Sequence, residues 1–117
     1  MYFVGPLNMD RQAKQAKSVM GTVLPLDDYE FDALDIMAAR EDLPISFERL
    51  YLEVWKARDC HASQEKAQVQ LEYLIEQVRI AGQGFMWIER GTELEYTFHT
   101  WWAHNRKLQL RPFTDNG

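Results

Sequence analysis

A single cysteine, Cys60, occurs in the chain, so no disulfide can form within it and packing alone must hold the fold. Such a composition suits a reducing compartment, and a cytoplasmic location is the expectation. Long apolar runs are also missing: none approaches the roughly 18 residues that span a bilayer, so no membrane partner is expected. The amino-terminal MYFVGPLNMD lacks a basic start and a sustained apolar stretch, the two marks of a secretion signal. There is no low-complexity tract, internal repeat or linker. The glycines form no phosphate-cradling loop, because Gly82 and Gly84 lack the further glycine or Lys-Ser/Thr of nucleotide sites. Cys60-His61 has no spaced second pair for zinc, and His99 and His104 fall in no metal motif. No cofactor, no metal and no catalytic residues are therefore expected, and the chain is read as something other than an enzyme.

What remains is enough for a core. The 117 residues are 46% apolar, with six Phe, five Tyr and four Trp, which is sufficient for one globular domain. Net charge is −5 and unevenly spread. Residues 27–60 hold ten carboxylates against four cations, whereas residues 1–26 are slightly basic.

Local patterns then define the elements. Tyr2, Phe3 and Val4 suit a short strand stopped by Gly5-Pro6, residues 10–17 are polar without a clear apolar face, and Met20 to Leu26 suits another strand. A helix is predicted from Asp28 to about Arg40, with Asp27 and Glu30 as a reciprocal cap and Phe31, Leu34, Met37 and Ala38 on one stripe. A second helix follows Ser46, stapled by Ile45 and Leu50, with Leu50, Tyr51, Val54 and Trp55 inward. Ser63 caps a third, to about Ile80, which faces inward through Ala67, Leu71, Leu74, Ile75 and Val78 and is stopped by Gly82 and Gly84. Phe85 to Ile88 and Leu94 to Trp102 read as the strands of a hairpin turning through residues 89–93. Three helices followed by a hairpin is the order of an α+β winged helix-turn-helix. The reading has a 1–25 extension, a strand or helix that packs on the domain, mediates assembly or stays loose, then the winged helix over 26–102 and a polar tail over 103–117.

From Leu26 to Phe98 the pattern resembles the effector domain of OmpR/PhoB-type response regulators. The residues that carry the resemblance are LDDYEFDAL at the first helix, SFERLYLEVW from Ser46 to Trp55, and Ala67, Val69, Leu71 and Leu74 at offsets 0, 2, 4 and 7 in the third helix. Tyr96-Thr97-Phe98 matches the end of the family hairpin, although Glu95 stands where a glycine is usual. The resemblance implies a transcription regulator that places its third helix in the major groove of double-stranded DNA. The segment ahead of Leu26 is too short for a receiver domain, so the usual phosphorylation control is not expected.

Carried onto this chain, the duplex-contacting positions are Lys66, Gln70, Tyr73, Gln77 and Arg90. Gln70 and Tyr73 would face base edges, Lys66 a phosphate, and Arg90 the minor groove beside the wing. Arg106, Lys107 and Arg111 could add phosphate contacts. Against this stand Glu65, Glu72 and Glu76 on the same helix, which repel phosphates. The alternative is an acidic protein-interaction module (an adaptor, antirepressor or DNA mimic) that meets another regulatory protein through Asp28, Asp32 and Asp35. In that reading Trp87, Trp101 and Trp102 contribute either to the partner surface or to the core. A homodimer is compatible with either reading, but no heptad seam specifies one.

Overall fold

The computed structural model describes residues 1–109. At the amino terminus, β1 (Tyr2–Val4), β2 (Leu7–Asp10) and β3 (Gln15–Ser18) form an antiparallel sheet in that order. Leu7 and Met9 alternate inward on β2 and face the small buried residues Ala16 and Ser18 of β3. The polar 10–17 segment is therefore a turn leading into β3, whose inward positions are only Ala16 and Ser18. The strand expected from Met20 to Leu26 is not present. That stretch makes one bridge, Val23 to Lys17, and crosses the domain as a strap whose Leu24 is buried. Gly5 has φ +57°, and a Cβ there would lie 2.7 Å from Cγ2 of Thr100, so the β1–β2 turn sits directly on the carboxy-terminal hairpin.

Helix α1 (Asp28–Ala39) carries both hydrogen bonds of the predicted cap: Glu30 N–H donates to Asp27 Oδ1 at 2.8 Å, and Asp27 N–H to Glu30 Oε1 at 2.9 Å. After a short β4 (Ile45–Ser46), α2 (Phe47–Leu50) runs without a break into a π-helical stretch, Tyr51–Lys56. Ile45 and Leu50 are both buried, as the staple requires. Helix α3 (Gln64–Gly82) buries Ala67, Leu71, Leu74 and Val78, while Val69 stands 69% exposed. Its stop differs in detail from the glycine reading. The left-handed residue is Gln83 (φ +48°), and Gly82 lies inside the helix, where a Cβ would come within 2.6 Å of Met86 Cγ.

Strands β5 (Met86–Arg90) and β6 (Glu95–Thr100) make the expected hairpin, and β4 joins it in the order β4-β6-β5. β6 ends two residues early. Trp101 and Trp102 open a further helix, α4 (Trp101–Gln109), in place of the end of the strand and the first part of the polar tail. Thr100 Oγ1 accepts from Ala103 N–H at 3.2 Å and so caps that helix, while Trp101 N–H donates to Phe85 O at 2.8 Å. One buried cluster joins Leu7 and Met9 of the first sheet to Phe31, Leu34, Leu50, Trp55, Leu71, Leu74, Tyr96 and Phe98. The architecture is an α+β winged helix-turn-helix with an amino-terminal sheet. Among the described residues, no helix is long and apolar enough to cross a membrane.

Candidate recognition surface

Helix α3 has two solvent flanks, and the residues expected to meet DNA divide between them. Lys66, Gln70, Tyr73 and Gln77 recur at the helical period on one flank, beside the start of α1. On the other, Glu65, Gln68, Val69 and Glu72 face the hairpin, where Arg90 lies. The structure thus separates Arg90 from the four α3 positions with which it was grouped.

Two of the four side chains on the first flank, those of Gln70 and Tyr73, are engaged in holding the fold. Gln70 Oε1 accepts from the indole Nε1 of Trp55 at 2.7 Å, and its Nε2 donates to Asp27 Oδ2 at 2.5 Å and Glu30 Oε2 at 3.1 Å. Its amide therefore ties the end of the second helix to the cap of the first, and contact with a base edge would require breaking those bonds. Tyr73 donates its hydroxyl to Pro25 O at 2.8 Å and pins the strap. Lys66 is exposed, with its backbone N–H on the Ser63 cap, and Gln77 is half-buried.

The acidic stripe of α1 is likewise engaged. Arg11 Nε lies 3.0 Å from Asp35 Oδ2, and the Tyr2 hydroxyl also donates to Asp35. Asp32 takes Lys14 Nζ at 2.6 Å together with Arg58, whose guanidinium also lies 3.9 Å from Asp28. Asp28, Asp32 and Asp35 are thus offset by cations from the β2–β3 turn and from the end of the second helix. Burial acts to raise the Asp32 carboxyl, but the hydrogen bonds and charges of Lys14 and Arg58 outweigh it and hold the group below its ordinary range. For a carboxylate depressed on folding, the stabilisation is present above its unfolded pKa of about 3.9 and is lost as pH falls through the folded value. Asp32→Asn is accordingly expected to lower the urea midpoint at pH 7, with the gap to the parent closing below about pH 3. An equal gap at both pH values would mean that the ion pairs contribute nothing.

The second flank is open. A groove of about 340 Å³ runs between α3 and the hairpin, lined by Glu65, Gln68, Val69, Glu72, Arg90, Leu94 and Tyr96. Arg90 donates to Glu72 across it, and both side chains are half exposed, which limits such a pair to roughly 0–1 kcal/mol. Burial, then the negative charge of Glu72, raises the Tyr96 hydroxyl, while Arg90 opposes the shift. Leu94 adopts a left-handed φ of +54°, a conformation that costs a bulky residue about 1–2 kcal/mol. Its carbonyl accepts from Phe47 N–H at 2.8 Å, which holds the wing to the second helix while the side chain stays 44% exposed beside the groove.

Gln68 and Leu94 were not singled out in the sequence as site residues, and Val69 entered only as one of the apolar positions that carry the resemblance. For Val69 a signal was available: two residues after Ala67 it points about 200° from the buried stripe. Leu94 carried none, because its position depends on the turn conformation. Cys60 and His61 are exposed in the loop before α3. His99 lies between Asp42 Oδ1 at 2.8 Å and Glu89 Oε1 at 2.9 Å. Trp87 packs on His99 and His104, whereas Trp101 and Trp102 cluster with Phe85 at the surface. The side chains of Arg106 and Lys107, and all of Arg111, lie outside what is described.

No protein-family model matches the chain, and no curated protein matches it. Among solved structures it is similar to the DNA-binding domain of Bacillus subtilis CssR, with a TM-score of 0.63 and 18% identity over 79% of this chain and 98% of that one. A likeness at that identity establishes the winged-helix fold alone.

Proposed function

We propose that this winged helix is a recognition module whose α3–hairpin face engages a protein partner rather than a DNA duplex. The observation that carries the reading is charge. From Gln64 to Thr100 six carboxylates stand against three cations, and two of those cations, Arg79 and Arg90, are already paired with Glu76 and Glu72. A duplex is held largely by neutralised phosphates, and this face neutralises few. An exposed valine and an exposed leucine beside a groove suit a protein surface better.

A duplex-binding transcription regulator is the second reading, favoured by the fold shared with the CssR DNA-binding domain. Under it α3 enters the major groove, Lys66 meets a phosphate, and Glu65 or Glu72 accepts from cytosine. Arg90 leaves Glu72 for the minor groove, and Gln70, Tyr73 and Gln77 act only if their flank opens.

A benzophenone amino acid placed at position 69 separates the two in cells. The expected adduct is destroyed by protease and survives nuclease. A nuclease-sensitive adduct, accompanied by salt-dependent anisotropy on a mixed-sequence duplex, would overturn the protein reading.

A further inference from the structure

We infer that the α3–hairpin groove is a docking site for an extended basic segment of a protein partner, presenting an arginine and an apolar residue two positions apart and therefore on the same side. The inference rests on the reading just proposed and gives the partner its chemistry. Charge complementarity is the first ground: Glu65 and Glu72 both line the groove, and Arg90 is the one cation among its lining residues. Size is the second. At about 340 Å³ the groove is at the small end of ligand sites, which suits one or two side chains rather than a cofactor. The third ground is that a guanidinium demonstrably fits, since Arg90 already donates to Glu72 there.

Exchange follows from these features. An incoming arginine takes Glu72, with Glu65 at hand, and the half-exposed Arg90 turns to solvent. The segment's apolar residue two positions away then covers Val69 and Leu94, removing from water the two exposed aliphatic groups that line the groove. Arg90 is thus an internal competitor for the partner's arginine. That assigns it the opposite sign from the duplex reading, in which it contributes affinity.

The test is fluorescence anisotropy on the full chain with a fluorescein-labelled peptide repeating Arg-Ser-Leu-Ser, which when extended sets arginine and leucine on one side. A peptide repeating Glu-Ser-Leu-Ser is the control, and circular dichroism confirms that each variant is folded. The arginine peptide is expected to bind and the control not to. Glu72→Gln and Leu94→Gly should each weaken binding about fivefold or more, glycine being at ease in the left-handed turn. Arg90→Ala should strengthen it about threefold by freeing Glu72. Absence of peptide binding, or binding indifferent to Glu72→Gln and Leu94→Gly, overturns the groove assignment; the cross-link from position 69 judges the protein reading separately. Weakening by Arg90→Ala overturns the exchange. Salt-sensitive duplex binding that Arg90→Ala weakens overturns both.

Discussion

Trp55→Ala is expected to cost the fold about 3–5 kcal/mol, the largest loss from a single substitution considered for this chain. Trp55 is 1% exposed and stacks on Tyr29 with ring centroids 6.2 Å apart. Truncation removes a large apolar side chain and leaves a cavity between the second helix, α1 and α3. It also removes the donor to Gln70 Oε1, at a point where that amide is bonded to both halves of the α1 cap. Gln70→Ala breaks the same network from the other side but leaves the ring in place, and should lose only about 1–3 kcal/mol. Urea unfolding of both variants, followed by circular dichroism, gives the comparison. A Trp55→Ala loss below that of Gln70→Ala would show that the indole fills space the fold can close by itself.

This network also shows how far the fold was legible in the sequence. Asp27, Glu30, Ser46, Ser63 and the Phe31–Leu34–Met37 stripe act within one turn of helix, so local spacing was enough to place them. The amino-terminal sheet was less readable. Ala16 and Ser18 are small and carry little apolar signal, and β3 exists because Leu7 and Met9 of β2 lie against the core. Trp101 and Trp102 looked like strand because they continue an aromatic run, yet the Thr100 cap and the bond from Trp101 N–H to Phe85 turn the chain into α4.

The candidate surface was half legible for a related reason. Acids at 65, 72 and 76 could be counted, and their effect on phosphate binding foreseen. What the sequence withheld was their pairing across 18 or more residues. Examples are Arg90 with Glu72 and Asp32 with Lys14 and Arg58. These pairings decide which charges remain available. With the bonds of Gln70 and Tyr73 they engage Asp32, Asp35 and half of the α3 flank around Gln70, while Asp28 stays largely exposed, and they leave the groove open.

Reversing the charge of that groove should convert the module. The triple variant Glu65→Lys, Glu72→Lys, Glu76→Lys replaces three carboxylates on the open side of α3 with ammonium groups and frees Arg79 and Arg90 from their partners. All three positions are solvent-exposed and outside the core, so the fold should tolerate the change to within a few tenths of a kcal/mol each. If the winged helix still presents α3 in a geometry that fits a major groove, about three new phosphate contacts give a salt slope near −2.7, and duplex affinity falls roughly forty-fold between 50 and 200 mM salt. The parent, measured beside it, should show no such salt-dependent binding, and the arginine peptide should bind the parent alone. The two halves of this result have separate meanings. Acquired duplex binding would show that the fold retains a groove-reading geometry and that charge alone keeps DNA away. A variant that stays folded yet ignores DNA at 50 mM salt would place the obstacle in shape, with the wing held by the Phe47 bond to Leu94, and would make recovery of duplex binding by charge substitutions untenable.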